Sequence, residues 1–599
     1  MKDFFKYVLA TVVGILVVGL LCTIMMVISL IGMASSSSTT SVPSDAVVVF
    51  KLNGTISERA GDNPFAGLLG NKFMDEELGL DNILRAIKNA KENDKVKGIY
   101  MEAGSFGGAT PAMLQEIRQA LVDFKTSEKF TVAYGDNYTQ GAYYLCSVAD
   151  SVIINPEGML DWKGLAMQTT YFKDVMDKLG VKMEIFKVGT YKSAVEPFFL
   201  NEMSEANREQ ITVFSSEIWN QMLSEVSKSR KMTAEQLNQL ADSAMTFQPT
   251  TLYKKEKLVD KLAYSDEVPR IIANIMKSDE EKPTDAYNTI SIQDMAASTS
   301  NEPKGTSGNI IAVYYAAGEI VETANNSPLS GNEPMIVGEK VIKELKDLAD
   351  DDDVKAVVIR VNSPGGSAYA SEQIHHAIMG IKAKKPVVVS MGGYAASGGY
   401  YISCCADYIF AEPTTLTGSI GIFGTFPVAA ELLNNKIGVH FSTVKTNEYA
   451  DFGDYSREMT DGEKALLQGY VNRGYELFTK RCAEGRGMKQ DDIKAIAEGR
   501  VWTGEHAKEI GLVDQLGNLD DAIAEAKKRA KVDEASVLSY PAKSNILDDL
   551  LNEVSGDSYA DAKLRDVLGD YYMYFNTLKY INKKGNVQAQ LPYYFTFNL

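Results

Sequence analysis

Two residues of this sequence could form a hydrolytic pair, although they lie far apart along the chain. Ser397 stands in the stretch Ala395-Ala-Ser-Gly-Gly-Tyr400, whose small residues permit a tight turn and close approach of a substrate backbone. A predicted strand over Pro386 to Ser390 precedes it, and a predicted helix follows, whose N-terminus would favour developing negative charge. The arrangement resembles a nucleophile elbow, with an alanine at the first glycine position of GxSxG. We therefore predict that Ser397 is a nucleophile.

The second residue is Lys192, which could act as the base that a serine hydroxyl requires. It lies in the stretch Val-Gly-Thr-Tyr-Lys-Ser-Ala-Val, which offers apolar surroundings. A lysine has an ordinary pKa of ~10.4, so it must lose its contact with water to be neutral near neutral pH. Because most loop lysines are simply exposed, this assignment depends on the comparison of the two halves of the chain described below.

Other residues could complete the site. Gly365 and Gly366 end an Asn-Ser-Pro-Gly-Gly stretch after a predicted buried strand, and their N–H groups could hold an oxyanion. Ser419, in Leu-Thr-Gly-Ser-Ile-Gly, has a hydroxyl that could orient the lysine. The alternative bases are His375 and His376. They are adjacent on a predicted helix, so at most one faces a given site, and neither has an evident carboxylate partner.

The elements that must position these residues occur twice in the chain. The two copies are separated by about 257 residues for most of the matching pairs, and so many ordered matches are not expected by chance. The matching segments are Val47 to Gly54 with Ile311 to Gly318, Val96 to Met101 with Val354 to Ile359, Gly104 to Gly108 with Asn362 to Gly366, Gln140 to Leu145 with Ser397 to Ile402, and Leu258 to Asp260 with Leu512 to Asp514.

The differences between the copies point to one shared active site. Gln140 occupies the position of Ser397 in the first copy, and Ala450 occupies the position of Lys192 in the second. Trp162 likewise replaces the candidate orienting hydroxyl. Each copy has kept one of the two candidates, which indicates a single site assembled from both. Ordinary drift at surface positions is the alternative interpretation.

Strands alternate with helices in each copy, which predicts an α/β fold with a largely parallel sheet in each. The predicted organisation is residues 1–44 as N-terminus, membrane anchor and Ser/Thr linker, 45–295 as the first domain with the lysine, 296–307 as a linker, 308–545 as the second domain with the serine, and 546–599 as a C-terminal tail. The stretch of the tail that begins at Gln588 is expected to be extended.

Composition narrows the classes of function. The formal net charge of −18 argues against nucleic-acid binding, because no basic surface is available to neutralise phosphates. Five cysteines and four histidines form neither a disulfide framework nor a pattern with zinc-ligand spacing. We therefore expect no metal and no cofactor.

Residues 8–33 are uncharged and strongly apolar, and they exceed the ~20 residues needed to span a bilayer. Lys2 and Lys6 precede them, so the positive-inside rule places the N-terminus in the cytoplasm and the rest of the chain outside. A cleaved signal peptide is the alternative, but its apolar region would be shorter and an A-x-A-like cleavage site is missing. We expect a single-pass anchor.

Taken together, the motifs resemble signal peptide peptidase A (SppA), peptidase family S49, in its long duplicated form. The resemblance extends from the anchor to at least Ala526. It rests on Val188 to Phe198, Asn362 to Gly366, Ala395 to Tyr400, Leu416 to Gly421 and Gly499 to Gly504.

The resemblance implies two tandem Clp-protease/crotonase-like domains and a Ser–Lys dyad of Ser397 and Lys192. It also implies degradation of cleaved signal peptides and other hydrophobic peptides, a homotetramer, and a bacterial inner membrane with the catalytic part on the periplasmic side. Two alternatives are a crotonase-like acyl-CoA enzyme and a non-catalytic membrane scaffold.

Overall fold

The computed structural model describes residues 41–59, 78–298, 308–323, 334–542 and 587–590, together with positions 14, 18 and 19. Apart from those three positions, the predicted membrane anchor over residues 8–33 lies outside the described residues. No helix within the described part of the chain is long and apolar enough to cross a bilayer.

The first half of the chain is built on a parallel sheet. Its strands are β1 (Ala46–Ser57), β2 (Leu78–Gly79), β3 (Val96–Gly108), β4 (Phe130–Tyr138), β5 (Ser151–Leu160), β6 (Lys182–Val188), β7 (Lys261–Leu262) and β8 (Asn288–Ser291). The sheet order is β2-β1-β3-β4-β5-β7, β8 lies beside β1, and every one of these pairs is parallel. The strand β6 belongs to a different sheet.

Helices cover this first sheet, as a parallel sheet requires. They are α1 (Leu80–Glu92), α2 (Pro111–Phe124), α3 (Gln140–Cys146), α4 (Lys173–Leu179), α5 (Glu205–Arg230), α6 (Ala234–Ala241), α7 (Thr250–Lys255), α8 (Val268–Ile275) and α9 (Ile292–Ala297). On α1 the apolar residues recur at helical spacing, and Leu80, Ile83 and Ile87 are buried in the core.

The second half repeats this plan. Its strands are β9 (Ile310–Ala317), β10 (Glu319–Val321), β11 (Met335–Val337), β12 (Val354–Ser363), β13 (Gly365–Ser367), β14 (Val387–Ala396), β15 (Tyr408–Ala411), β16 (Leu416–Gly418), β17 (Ile422–Val428), β18 (Val501–Thr503), β19 (Gln515–Leu516), β20 (Ser536–Tyr540) and, in the tail, β21 (Val587–Gln590). The main sheet has the order β18-β16-β14-β12-β9-β20, with β15 beside β14 and β19 beside β15. Its pairs are parallel except β16 with β18.

The helices of the second half are α10 (Gly338–Asp350), α11 (Ala368–Lys382), α12 (Gly398–Ser403), α13 (Asp461–Arg486), α14 (Gln490–Ile496), α15 (Gly504–Glu509) and α16 (Leu519–Ala530). The long helices α5 and α13 occupy matching positions in the two halves, and each contains 26 residues. The expected largely parallel α/β organisation is therefore present in both halves.

A third, smaller sheet joins the two halves. Its order is β11-β10-β13-β21-β17-β6, so β6 of the first half pairs antiparallel with β17 of the second half. Phe186 of β6 is buried in the core of the second half and packs edge-on against Phe426, with 5.9 Å between ring centroids. Burying such a side chain contributes about 1.5–3 kcal/mol, so β6 is held firmly where it leads into the loop that carries Lys192.

A buried ion cluster also ties the halves together. The Arg360 guanidinium of β12 contacts Glu58 and Glu116 of the first half, and its Nη1 donates to Ser390 Oγ at 2.9 Å. Desolvation of these carboxylates is offset by the positive charge, although burial still raises the pKa of Glu116 to about 7. A side chain on Gly392 would collide with the Glu58 carboxylate, so this position leaves room for the carboxylate of the first half.

Candidate active site

Ser397 forms a strained turn between β14 and α12. Its backbone has φ 54° and ψ −112°, a conformation that L-residues rarely adopt and that costs about 1–3 kcal/mol. Its N–H donates to Gly418 O at 2.8 Å, which holds the turn in place. The turn places Ser397 between the end of β14 and the first residue of α12.

The strand before the serine is longer than the sequence indicates. The prediction ended it at Ser390, but β14 continues to Ala396. The added residues pair with β16, where Ala395 lies opposite Thr417 and Ala396 opposite Gly418. This pairing confines the whole turn to Ser397 and explains why so strained a backbone persists there.

Lys192 meets Ser397 within one chain. Lys192 Nζ lies 2.8 Å from Ser397 Oγ, and it donates to Ser419 O at 3.1 Å and to Ser419 Oγ at 3.0 Å. All three side chains are 0% exposed. In its neutral form the amine has two N–H groups and one lone pair, so donation to the two Ser419 oxygens would leave the lone pair for the Ser397 hydroxyl.

The surroundings favour the neutral form of this lysine. Burial lowers the pKa of Lys192 well below its ordinary value of 10.5, and no carboxylate among the described residues opposes the shift. The ring of Phe423 lies 6.0 Å from Nζ and adds apolar surface on one side. The amine is therefore suited to accept the proton of the Ser397 hydroxyl.

Segments from both halves hold the lysine loop. Tyr191 N–H donates to Glu498 O at 2.9 Å, and Gln210 Nε2 on α5 donates to Tyr191 O at 3.1 Å. Gly499 has φ 76°, and a methyl group there would lie 2.7 Å from Lys192 Cβ. The backbone at Gly499 thus closes one side of the lysine and leaves no space for a side chain.

The predicted orienting residue, Ser419, contacts the lysine with two atoms. Its φ of 48° is also left-handed, and its N–H donates to Arg500 O at 2.6 Å. In this conformation both its carbonyl and its hydroxyl face Lys192 Nζ. The carbonyl contact was not anticipated from the sequence, because it depends on the backbone turn rather than on the residue type.

The glycines predicted to hold an oxyanion lie beside Ser397. Gly365 and Gly366 form β13, with φ of 101° and 154°. Gly365 N–H donates to Ser363 Oγ at 3.1 Å, so this amide already has an acceptor. A methyl group on Gly365 would lie 2.7 Å from the backbone nitrogen of Gly398, the first residue of α12, so that nitrogen faces the same small space. Gly398 is a backbone donor that the sequence analysis did not single out.

In the first copy of the fold, Gln140 occupies the position that Ser397 has in the second copy, and its side chain makes structural hydrogen bonds. Gln140 Oε1 accepts from Lys163 N at 2.9 Å and from Gly164 N at 3.0 Å, and its Nε2 donates to Gly164 O. Gln140 is the first residue of α3 and, unlike Ser397, does not have a positive φ. In the second copy, Ala450 lies exposed at the surface. The two copies thus differ in backbone strain as well as in side chains.

Of the two histidines weighed as bases, His375 is buried against the ring of Tyr401, at 5.8 Å between centroids. Burial lowers its pKa. The group within hydrogen-bond distance of Ser397 Oγ is the lysine amine. A buried hydroxyl beside an amine with a lowered pKa and near backbone donors is an arrangement suited to acyl transfer.

Comparison with known proteins agrees with this chemistry. The family model for peptidase family S49 matches the chain twice, at residues 123–278 and 380–533. Protease 4 of Salmonella typhi is 37% identical over 539 residues, which cover 88% of this chain and 84% of that protein. This chain belongs to peptidase family S49. The S49 peptidase is also 33% identical to Protease 4 of Haemophilus influenzae, over 84% of this chain and 82% of that protein.

A plant relative extends the comparison. The "Serine protease SPPA, chloroplastic" of Arabidopsis thaliana is 30% identical, over 81% of this chain and 69% of that protein. The S49 peptidase also matches a Clp protease family model at residues 330–415. A ClpP1 variant from Listeria monocytogenes aligns with a TM-score of 0.23 at 21% identity, over 36% of this chain and 95% of that chain.

The predicted resemblance to the long duplicated SppA form is therefore confirmed. The S49 peptidase is an α/β serine peptidase with two S49 repeats. Membership of this peptidase family argues against the alternative function of a crotonase-like acyl-CoA enzyme.

Proposed function

We propose that this S49 peptidase cleaves peptide bonds with a Ser–Lys dyad, in which Ser397 is the nucleophile and Lys192 the general base. The observation that carries the proposal is the 2.8 Å separation of Lys192 Nζ and Ser397 Oγ in a fully buried site. The pairing of β6 of the first half with β17 of the second helps to bring the two groups together.

The reaction follows from the geometry. Neutral Lys192 takes the proton of Ser397 as Oγ attacks the carbonyl carbon of the substrate. The backbone N–H groups of Gly366 and Gly398 stabilise the oxyanion. Protonated Lys192 then gives its proton to the leaving amine. A water molecule hydrolyses the acyl-enzyme by the same steps in reverse.

A direct test measures hydrolysis of a fluorogenic apolar peptide by the full chain in detergent. Ser397→Ala and Lys192→Met are expected to lose activity while keeping the unfolding temperature within a few degrees of wild type. The exposed positions Ser243→Ala and Lys178→Met are matched controls that should keep it. Full activity of Lys192→Met would show that another group is the base.

We propose cleaved signal peptides and other apolar peptides as the substrate class. Signal peptides carry an apolar segment of 7–15 residues, and the plant relative carries the name SPPA. The test compares kcat/KM for a synthetic signal peptide with that for a charged peptide of equal length. A preference for the charged peptide would contradict the proposal.

The proposed location is the inner membrane, with a single anchor and the catalytic part on the periplasmic side. The support is the uncharged apolar stretch of residues 8–33 after Lys2 and Lys6. Deleting residues 1–34 should move the protein from the carbonate-resistant membrane fraction to the soluble fraction. Externally added protease should degrade the wild-type catalytic part in spheroplasts, and protection from it would reverse the proposed orientation.

We also propose that the enzyme is a homo-oligomer, a tetramer by resemblance. The support is a set of large apolar side chains at the surface of the second half, among them Ile437, Phe441 and Val444, which is 97% exposed. Large apolar side chains exposed within one short stretch of the chain suit an interface, and a second copy of the chain is the proposed occupant. Light scattering should give four copies for wild type and fewer for Phe441→Glu, and a monomeric wild type would refute it.

A further inference from the structure

One glutamine side chain of the first half is hydrogen-bonded to both segments that position the proposed dyad. Gln210 lies in the second turn of α5 and is only 2% exposed. Its Nε2 donates to Tyr191 O at 3.1 Å and to Ser193 Oγ at 3.0 Å, on either side of Lys192. Its Oε1 accepts from the backbone N–H of Val501, in β18, at 3.2 Å. The Gln210 amide therefore joins the lysine loop to a strand of the second half.

The strand at the other end of this bridge is connected to the serine. Val501 pairs with Gly418 of β16, whose carbonyl accepts the Ser397 N–H. Ser419 follows Gly418, and its N–H donates to the carbonyl of Arg500, the residue before Val501. Both turns that face the lysine amine are thus hydrogen-bonded to the short segment that the glutamine holds. A shift of this segment relative to the lysine loop would change the separation of the two reacting atoms.

The chemistry of a side-chain amide explains why glutamine suits this position. The groups on the lysine loop are a carbonyl and a hydroxyl, which can accept, whereas the Val501 N–H can only donate. A side-chain amide donates at its nitrogen and accepts at its oxygen, so its partners fix its orientation. Gln210 Nε2 also donates to Asn207 Oδ1 at 3.0 Å, one turn earlier on α5. Asn207 Nδ2 in turn donates to Glu196 Oε2 at 3.0 Å, which anchors the far end of the loop.

The duplication of the fold supplies a comparison for this residue. Gln210 is the sixth residue of α5, and Leu466 is the sixth residue of α13, the matching helix of the second half. Leu466 is 54% exposed, and its side chain has no polar atom. The half that lacks the lysine therefore also lacks the amide, so Gln210 accompanies Lys192 and does not belong to the plan common to both halves.

We propose that Gln210 is a positioning residue that fixes Lys192 against Ser397 and keeps water away from the lysine amine. The inference rests on the proposed function, because it concerns the same two reacting groups. Within the described part of the chain, the hydrogen bonds of Gln210 reach neither of these side chains, so it acts through the lysine loop and β18. Because a misplacement of about 1 Å can cost on the order of 10²-fold in rate, loss of the amide should slow the chemical step more than it weakens peptide binding.

The pH dependence of the reaction reports the surroundings of the lysine amine. Burial lowers the pKa of this amine. The charged side chains packed on the loop contact other groups, since Arg500 and Glu209 contact the Tyr191 hydroxyl. Glu498 accepts from the Thr190 N–H. A loosened loop would admit water to the amine and restore part of its ordinary pKa, so the rise of kcat/KM with pH would move to higher pH.

The test compares Gln210→Met with wild type and with Gln221→Met, which alters a half-buried glutamine on the same helix that donates to Glu225. For the full chain in detergent, kcat, KM and the pH dependence of kcat/KM are measured with the fluorogenic apolar peptide. Gln210→Met is expected to lower kcat about tenfold or more with KM within about threefold of wild type. The rise of kcat/KM should move up by about 0.5 pH unit or more, and Gln221→Met should match wild type in all three.

A double-mutant cycle separates positioning from a general loss of stability. Ser193→Ala removes one acceptor of the Gln210 amide, so alone it should lower kcat by about threefold or more, and in the Gln210→Met background it should cost little further rate. The single Ser193→Ala variant decides the question if Gln210→Met does not fold. A folded Gln210→Met enzyme with the wild-type kcat and pH dependence would overturn the inference and leave the dyad intact, as would fully additive losses in the cycle. Full activity of Lys192→Met would instead refute the dyad, and this inference with it.

Discussion

Replacing Lys192 with methionine tests the charge state on which the mechanism depends. In the unfolded chain the lysine binds a proton below pH ~10.4, whereas in the folded protein burial lowers its pKa well below the ordinary 10.5. Between the two values the unfolded state holds one proton more than the native state. Wild-type stability must therefore rise with pH across this window, by up to about 1.4 kcal/mol per pH unit.

Methionine binds no proton, so the Lys192→Met variant lacks this dependence. The substitution also leaves both Ser419 oxygens without their N–H donor and the Ser397 hydroxyl without its acceptor, which costs about 1–3 kcal/mol at every pH. The variant is therefore less stable than wild type near pH 10. As the pH falls, the free energy of unfolding of wild type decreases by about 1.4 kcal/mol per pH unit while that of the variant does not. This relative change stops at the pH where the native lysine itself takes up a proton.

The assay is the midpoint of denaturant unfolding at pH 7.5, 8.5 and 9.5, with Lys178→Met as the exposed control. Between pH 9.5 and 7.5 the stability of Lys192→Met should rise relative to that of wild type by up to about 2.8 kcal/mol, whereas wild type and the control should stay parallel. Parallel behaviour of Lys192→Met would mean that the native lysine is charged. It could not then accept the Ser397 proton, and kcat/KM would not show the expected loss of about 10²–10⁴-fold.

Three further predictions concern the geometry around the site. Ser397→Gly should unfold at higher denaturant than Ser397→Ala, by about 1–2 kcal/mol, because only glycine is free of strain at φ 54°; equal stabilities would contradict the strained turn. Arg360→Met should cost about 3–5 kcal/mol by thermal unfolding, since it leaves two buried carboxylates without a counter-ion, and Arg360→Lys should cost less. Gly499→Ala should lower kcat on the order of 10²-fold by displacing Lys192, whereas Gly487→Ala, also left-handed but with nothing within 4 Å, should keep the wild-type rate; equal losses would point to backbone strain instead.

The sequence was informative wherever the two copies could be compared. Ser397 and Lys192 stand out because Gln140 and Ala450 replace them in the opposite copy, a contrast visible without any structure. The parallel sheets follow from strands that alternate with helices, because that order leaves few other ways to bury both faces. The roles of the candidate residues stay predictions until activity is measured.

Contacts between distant segments could not be predicted in the same way. Periodicity reports which face of a strand is buried, but the edge that β6 pairs with is set by the whole fold, and β17 lies more than 200 residues further on. The extension of β14 to Ala396 depends on its neighbour β16. The same holds for β21, whose sequence indicates an extended segment but does not identify the strands with which it pairs.

The division of the site between the two copies has a consequence for biosynthesis. Lys192 and Ser397 lie 205 positions apart, so at ~5–20 residues per second the serine follows the lysine out of the ribosome after roughly 10–40 s. During this interval β6 has no partner strand and the lysine no hydroxyl to activate. If the proposed dyad is the active site, the growing chain carries no working protease during this interval, and a chain whose translation stops before Ser397 is released without one.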